Sequence, residues 1–272
     1  MPELPEVETV KNTLKTLVLN KTVESVDVYH NNIIEYPSVS KFKSQIMGET
    51  IKDIERRGKW LIFELDNYYL LSHLRMEGKY FLKNNEAEEK HEHVIFKFTD
   101  GSQLRYHDTR KFGKMHLIEV DKINCMGPLL SIGLEPWDKS LDEEYLLKCF
   151  KNKKAPIKTM LLDQSIIAGV GNIYADEILF LCNIKPTKRS CDITRKQCRE
   201  IIDNTKNVLE EAIKAGGTTI KSYQSGDGIE GLFQQQLMVH NNEKKECEKC
   251  GTIIKKIVVN GRGTYYCLKC QK

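Results

Sequence analysis

The chain has 272 residues, 40% of them hydrophobic and 29% charged, the balance of a folded globular protein, and its length suggests two domains that can each bury a core. No charge-free apolar run approaches the roughly 18–20 residues that span a bilayer, and the start Met1-Pro2-Glu3-Leu4-Pro5-Glu6 is unlike a secretory signal, so the expectation is a cytoplasmic protein. Residues 1–150 carry 21 Lys and Arg against 25 Asp and Glu, a net of −4, while residues 151–272 carry 21 against 13, a net of +8; the basic half suits a polyanion partner or a solvated surface.

Val7, Val10, Leu14 and Leu17 at helical spacing predict a helix from about Pro5 to Leu17. Its approach carries unusual chemistry. Methionine is commonly trimmed before a small residue, which exposes Pro2 as a secondary amine. An α-amine has a pKa near 8, about two units below lysine, so a useful fraction is unprotonated at neutral pH. Such an amine can attack an electrophilic carbon and form an iminium, with Glu3 beside it as general acid or base. Taken alone, Met-Pro-Glu is an ordinary beginning.

From about residue 21 to 120 the pattern alternates two-fold. Val23, Val26 and Val28 begin it; Trp60-Leu61-Ile62-Phe63, Tyr68-Tyr69-Leu70-Leu71, His93-Val94-Ile95-Phe96 and Met115-His116-Leu117-Ile118 continue it, and Thr99-Asp100-Gly101-Ser102 reads as a hairpin turn. Many short strands argue for a β-sandwich or barrel. Gly127-Pro128 and Glu135-Pro136-Trp137 mark a junction. Beyond it the period becomes helical over 142–150, 156–163, 172–182 and 194–215, the last capped by Thr194 and stopped by Gly216-Gly217.

Gly169-Val170-Gly171-Asn172 opens the third of these helices, either as a phosphate cradle of backbone N–H groups or as a common turn with a cap. Lys158 and the cluster Lys151, Lys153 and Lys154 read first as a solvated helix face. Residues 216–231 hold five glycines in 16 residues, a density typical of a functional or disordered loop.

Five of the nine cysteines (Cys125, Cys149, Cys182, Cys191, Cys198) are scattered, several at apolar positions where cysteine is a small hydrophobe. The odd total points to a reducing compartment. The other four form Cys247-x2-Cys250, 16 residues, then Cys267-x2-Cys270. Two such pairs make a closed tetrahedral site for one structural zinc, and so short a segment takes its folding energy from the metal. Ile253, Ile254, Ile257 and Val258 suit a β-hairpin with Gly261-Arg262-Gly263 at its tip. Arg262 there is a solubilising charge or a phosphate contact.

Read together, these segments resemble bacterial formamidopyrimidine-DNA glycosylase from end to end. The resemblance runs through Met1-Pro2-Glu3-Leu4-Pro5-Glu6-Val7-Glu8-Thr9, Arg57-Gly58-Lys59, His73-Leu74-Arg75-Met76 and Asp108-Thr109-Arg110-Lys111-Phe112-Gly113. It continues through Leu161-Leu162-Asp163-Gln164, Gly169 to Glu177, the glycine-rich loop and the zinc hairpin. It implies an α+β fold. A two-layer β-sandwich with flanking helices (1–134) would precede a helical domain with a helix–two-turn–helix (135–244, its loop 216–231 capping the lesion) and a four-cysteine zinc finger (245–272).

It further implies a glycosylase and lyase that everts and removes oxidised purines from duplex DNA as a monomer, with zinc and no organic cofactor. Pro2 would attack C1′, Glu3 protonate the sugar oxygen and Glu6 support them. Lys59 and Arg262 would handle protons and phosphate during strand cleavage. His73, Asn172, His91 and Lys153 would contact DNA. Met76, Arg110 and Phe112 would fill the gap left by the everted base. Two other readings are an endonuclease VIII-type glycosylase for oxidised pyrimidines and a non-catalytic zinc-finger DNA-binding protein. The Leu4-Pro5 opening, Arg110 with Phe112 and the long glycine loop favour the purine enzyme over the first; Pro2 with Glu3 argues against the second.

Overall fold

A computed structural model describes residues 1–84, 86–218 and 232–272. Most of the 216–231 loop lies outside the described residues. The described chain divides into two compact units after Leu130, and among its helices none is long and apolar enough to cross a membrane.

The first unit opens with α1 (Leu4–Val18), whose Val7, Val10, Leu14 and Val18 form one buried stripe. Two sheets follow. One has the order β1 (Val23–Val28), β7 (Glu92–Phe98), β8 (Gln103–His107) and β6 (Lys79–Lys83). The other runs β2 (Ile34–Tyr36), β9 (Lys114–Glu119), β5 (Tyr68–His73), β4 (Trp60–Glu64) and β3 (Asp53–Arg57). Inward residues of both sheets, among them Val26, Ile54, Leu61, Phe63, Val94 and Phe96, share one core with α1 and with α2 (Val39–Ile46). Each such side chain contributes about 1.5–3 kcal/mol by leaving water. This is the two-layer sandwich with helices that the alternation and the resemblance implied.

The second unit is helical: α3 (Glu143–Phe150), α4 (Ile157–Leu161), α5 (Asn172–Leu181) and α6 (Arg195–Lys214). Helix α5 is buried from Tyr174 to Phe180, all of them apolar except Asp176 and Glu177. Helix α6 is amphipathic, with Cys198, Ile201, Ile202, Thr205, Leu209 and Ala212 inward, and Thr194 accepts from the Gln197 backbone N–H as its cap. The unit ends in the hairpin β10 (Lys255–Val259) and β11 (Arg262–Tyr266). Its tip is Asn260-Gly261, with φ of +47° and +74°, so Arg262 is the first strand residue and not the tip itself.

Candidate active site and nucleic-acid interface

In the first unit the sequence-selected residues collect at one end of the sandwich. Helix α1 begins with a reciprocal cap: the Glu3 carboxylate accepts the Glu6 backbone N–H, and Glu6 Oε2 accepts the Glu3 backbone N–H at 2.8 Å. Both carboxylates are buried, and Pro2 immediately precedes them, so the residue before the helix is fixed by two hydrogen bonds. Lys59 is buried in the two-residue turn between β3 and β4, where Arg57 pairs with Trp60. Arg56 on that hairpin donates to Glu8 of α1 at 2.7 Å, tying the lysine-bearing turn to the helix.

The register Trp60 to His73 to Lys114 places the start of β4, the end of β5 and the start of β9 side by side. His73 stands edge-on to Trp60, with ring centres 4.8 Å apart. Its Nδ1 accepts the Arg75 backbone N–H at 2.9 Å, which leaves the proton of the neutral ring on Nε2. Burial first, then the charges of Arg75 and Lys59, push its pKa down to about 3. At neutral pH it is therefore an uncharged donor of the kind a phosphate oxygen accepts.

Two turns cross between the sheets at this same end. Residues 74–78 join β5 to β6 and carry Met76; residues 108–113 join β8 to β9 and carry Arg110 and Phe112. Phe112 is 50% exposed, and the Arg110 guanidinium lies 4.9 Å from its ring centre. His91 precedes β7 at the same rim with φ +77°, its ring 5.7 Å from that of His107.

In the second unit, Asn172 begins α5 behind Gly171 and its amide donates to the Gly263 carbonyl at 3.1 Å, next to the exposed Arg262. Gln164 braces the glycine turn, accepting from Gly169 at 2.9 Å and donating to Val170 at 2.8 Å. Lys153 is exposed, as expected of it. Lys158 differs from the solvated face expected of it. It is fully buried, 2.7 Å from Asp176, and donates to Thr264 Oγ1 at 2.8 Å and Gly263 O at 3.1 Å. A cation with three donors is tolerated there because a carboxylate and two oxygens meet it.

Sequence reasoning assigns no separate part to Asp176, Glu177 or Gln164. Asp176 also accepts from Tyr265 at 3.2 Å and pairs with His240 Nδ1 at 2.8 Å, and Glu177 accepts three successive backbone N–H groups, Met238 to His240. The only available signal is two adjacent acids inside an otherwise apolar helix.

Cys247, Cys250, Cys267 and Cys270 place their sulfurs within 4.8 Å of one another, with Cys247–Cys270 at 3.9 Å and Cys250–Cys267 at 3.5 Å. Four thiolates at about 2.3 Å from one zinc stand about 3.8 Å apart. The donor set therefore fits one structural zinc.

Comparison with known proteins agrees along the whole chain. Family models match as formamidopyrimidine-DNA glycosylase N-terminal domain over residues 1–115, formamidopyrimidine-DNA glycosylase H2TH domain over 132–224 and zinc finger found in FPG and IleRS over 244–272. The formamidopyrimidine-DNA glycosylase of Oceanobacillus iheyensis is 47% identical over 273 residues, covering 100% of this chain and 98% of its own. That of Bacillus subtilis is also 47% identical, with 100% and 99% covered. Among solved structures, Lactococcus lactis Fpg with abasic-site DNA is 38% identical and superposes with a TM-score of 0.91, 99% of each chain covered. The same protein with Fapy-dG DNA gives 38% and 0.91, with 99% of this chain and 100% of that one covered.

Proposed function

Because the chain belongs to the formamidopyrimidine-DNA glycosylase family, a family of DNA glycosylases and AP lyases that remove oxidised purines in base excision repair, we propose that Pro2, Glu3, Glu6, Lys59 and Arg262 carry that chemistry here. Removal of Met1 gives Pro2 a free secondary amine. Its lone pair bonds to C1′ as the bond from C1′ to the base breaks, and the base leaves with the bonding pair and the proton lost by the amine. Glu3 delivers a proton to the sugar oxygen, and the ring opens to an iminium. The positive nitrogen acidifies the neighbouring C–H, so loss of that proton expels the 3′ phosphate and a second elimination expels the 5′ phosphate. Lys59 moves protons in these steps, and Arg262 holds a phosphate. Glu6 keeps Glu3 in place through the cap of α1.

His73, His91, Lys153 and Asn172 engage the backbone of damaged duplex DNA, while Met76, Arg110 and Phe112 occupy the gap, Arg110 facing the widowed base. Zinc holds the finger that presents Arg262. In domain terms the work divides between 1–134, 135–244 and 245–272, carried by a monomer in the cytoplasm at the nucleoid.

The observation that carries this reading is the first turn of α1, where two buried carboxylates cap each other directly behind Pro2. The test is borohydride trapping on duplex with 8-oxoguanine opposite cytosine. Peptide mapping should find the adduct on Pro2, and a chain that retains Met1 should give none. An adduct on a lysine of otherwise intact protein would overturn the assignment.

A further inference from the structure

The turns that carry Met76 and Arg110 with Phe112 pack on one buried tyrosine, and a buried aspartate braces the second of them. Asp108 is wholly buried. Its Oδ1 accepts the Arg110 backbone N–H at 3.0 Å, and its Oδ2 accepts those of Phe112 and Gly113, both at 2.9 Å. One carboxylate thus fixes three of the five residues that follow it, around a Lys111 held at φ +59°. A non-glycine residue adopts that conformation only where its surroundings impose it.

Tyr106, also wholly buried, points its hydroxyl at Asp108 Oδ2, 3.5 Å away. The same hydroxyl is pressed between the two turns. A Cβ added to Gly113 would lie 1.7 Å from it, and one added to Gly78 would lie 2.2 Å from it. Gly78 closes the Met76 turn, its N–H donating to Leu74 O at 2.9 Å. Across the rim, the Thr109 hydroxyl donates to the Glu77 carboxylate. Neither turn can shift without moving Tyr106, because glycine alone leaves room for its hydroxyl on both sides.

We propose that Tyr106 and Asp108 form a buried strut that locks the Met76 turn and the Arg110–Phe112 turn into one preassembled probe, which makes Asp108 a positioning and specificity-determining residue for reading the base opposite the lesion. This rests on the gap-filling roles given above to Met76, Arg110 and Phe112. The three acceptor bonds set where the Arg110 guanidinium stands, and Tyr106 transmits that setting to Met76. Prior ordering means that the probe meets DNA without first giving up loop entropy.

The test compares single-turnover excision of 8-oxoguanine opposite cytosine and opposite adenine. A planar multiple donor suits the adjacent acceptors O2 and N3 of cytosine better than adenine. Arg110→Ala should therefore lower the cytosine-to-adenine rate ratio about tenfold. Asp108→Asn keeps the shape but replaces an acceptor oxygen by a donor, so it should lower that ratio nearly as far with Arg110 intact. In its background Met76→Ala should add little to the slowing, although it slows excision in the parent; this non-additivity across two turns is not produced by a general loss of stability.

If Arg110→Ala lowers the ratio while Asp108→Asn keeps the parent ratio, or if the effects of Asp108→Asn and Met76→Ala multiply, the strut is overturned and the Arg110 reading stands. An unchanged ratio in Arg110→Ala overturns that reading and the proposal with it. Should Asp108→Asn be too unstable to assay, Tyr106→Phe carries the test. A parent ratio together with full Met76 additivity in that variant overturns the strut.

Discussion

His73 shows how one residue's surroundings fix both its chemistry and a pH dependence. Its folded pKa lies near 3 because burial, and then Arg75 and Lys59, oppose its charge, against about 6.5 in an unfolded chain. Between these values the unfolded chain binds a proton that the folded one does not. Its effect on stability is nil above about pH 6.5 and becomes a growing loss as pH falls toward 3. His93, His107 and His116 are shifted the same way, each chiefly by burial. Melting temperature should drop between pH 7 and pH 5, and His73→Gln should shrink that drop in part; an equal drop in both proteins would mean that His73 is not held neutral. The sequence marks His73 as a site residue only through its motif, since nothing in His73-Leu74-Arg75 states that the ring will be half-buried edge-on to Trp60. Lys158 is the converse case. Lysine is solvated by default, and its burial depends on Asp176 and Thr264, 18 and 106 positions away, a separation that no local pattern reports.

At the scale of elements, legibility follows amphipathic contrast. Helices α1, α3 and α6 are legible to within a residue or two because their end signals and apolar spacing agree, whereas α5, buried all round, is legible because the Gly169-Val170-Gly171 turn marks its start. Strand β3 escapes the pattern because Asp53-Ile54-Glu55-Arg56-Arg57 has one apolar residue, its charges being accommodated by an edge position. Helix α2 escapes it because Val39, Phe42 and Ile46, although helically spaced, sit inside a region of strands. The zinc hairpin is legible, but sequence alone places its tip one residue late, since Gly261-Arg262-Gly263 masks the Asn260-Gly261 turn that both positive φ values identify. That turn sets where β11 starts and hence where Arg262 projects. A Cβ on Gly261 would meet no atom within 4 Å, so the penalty in Gly261→Ala is one of backbone alone, about 1–2 kcal/mol. Thermal melts should show the helical unit destabilised by about that amount with bound metal retained, and affinity for DNA should fall because Arg262 follows directly. Unchanged stability would mean that the hairpin closes equally well through a turn of another type.

The molecule as a whole has two separate sources of stability. The first unit rests on the shared core of α1, α2 and both sheets. The finger has no comparable interior: its buried cluster consists of Cys247, Ile254, Tyr265 and Cys267 completed by Phe180 of α5 and by Val239. Zinc binding by isolated finger peptides is worth on the order of 10–16 kcal/mol, as much as the entire stability of a typical domain at about 5–15 kcal/mol. So small a cluster cannot replace it. Removing zinc with a strong chelator should therefore abolish hydrogen-exchange protection in Lys255–Val259 and Arg262–Tyr266. The loosening should spread to the Phe180 end of α5, which packs on the finger. It should also expose Lys158 and Asp176, whose partners Thr264 and Tyr265 belong to the hairpin. Protection in Leu4–Val18 and Glu92–Phe98 should stay unchanged, because nothing in their core depends on the metal. Replacing Cys250 by serine should do the same and reduce bound zinc from about one per chain. Full protection of the hairpin in zinc-free protein would mean that Phe180 and the Lys158–Asp176 pair suffice to hold it, and that the four cysteines serve something other than folding.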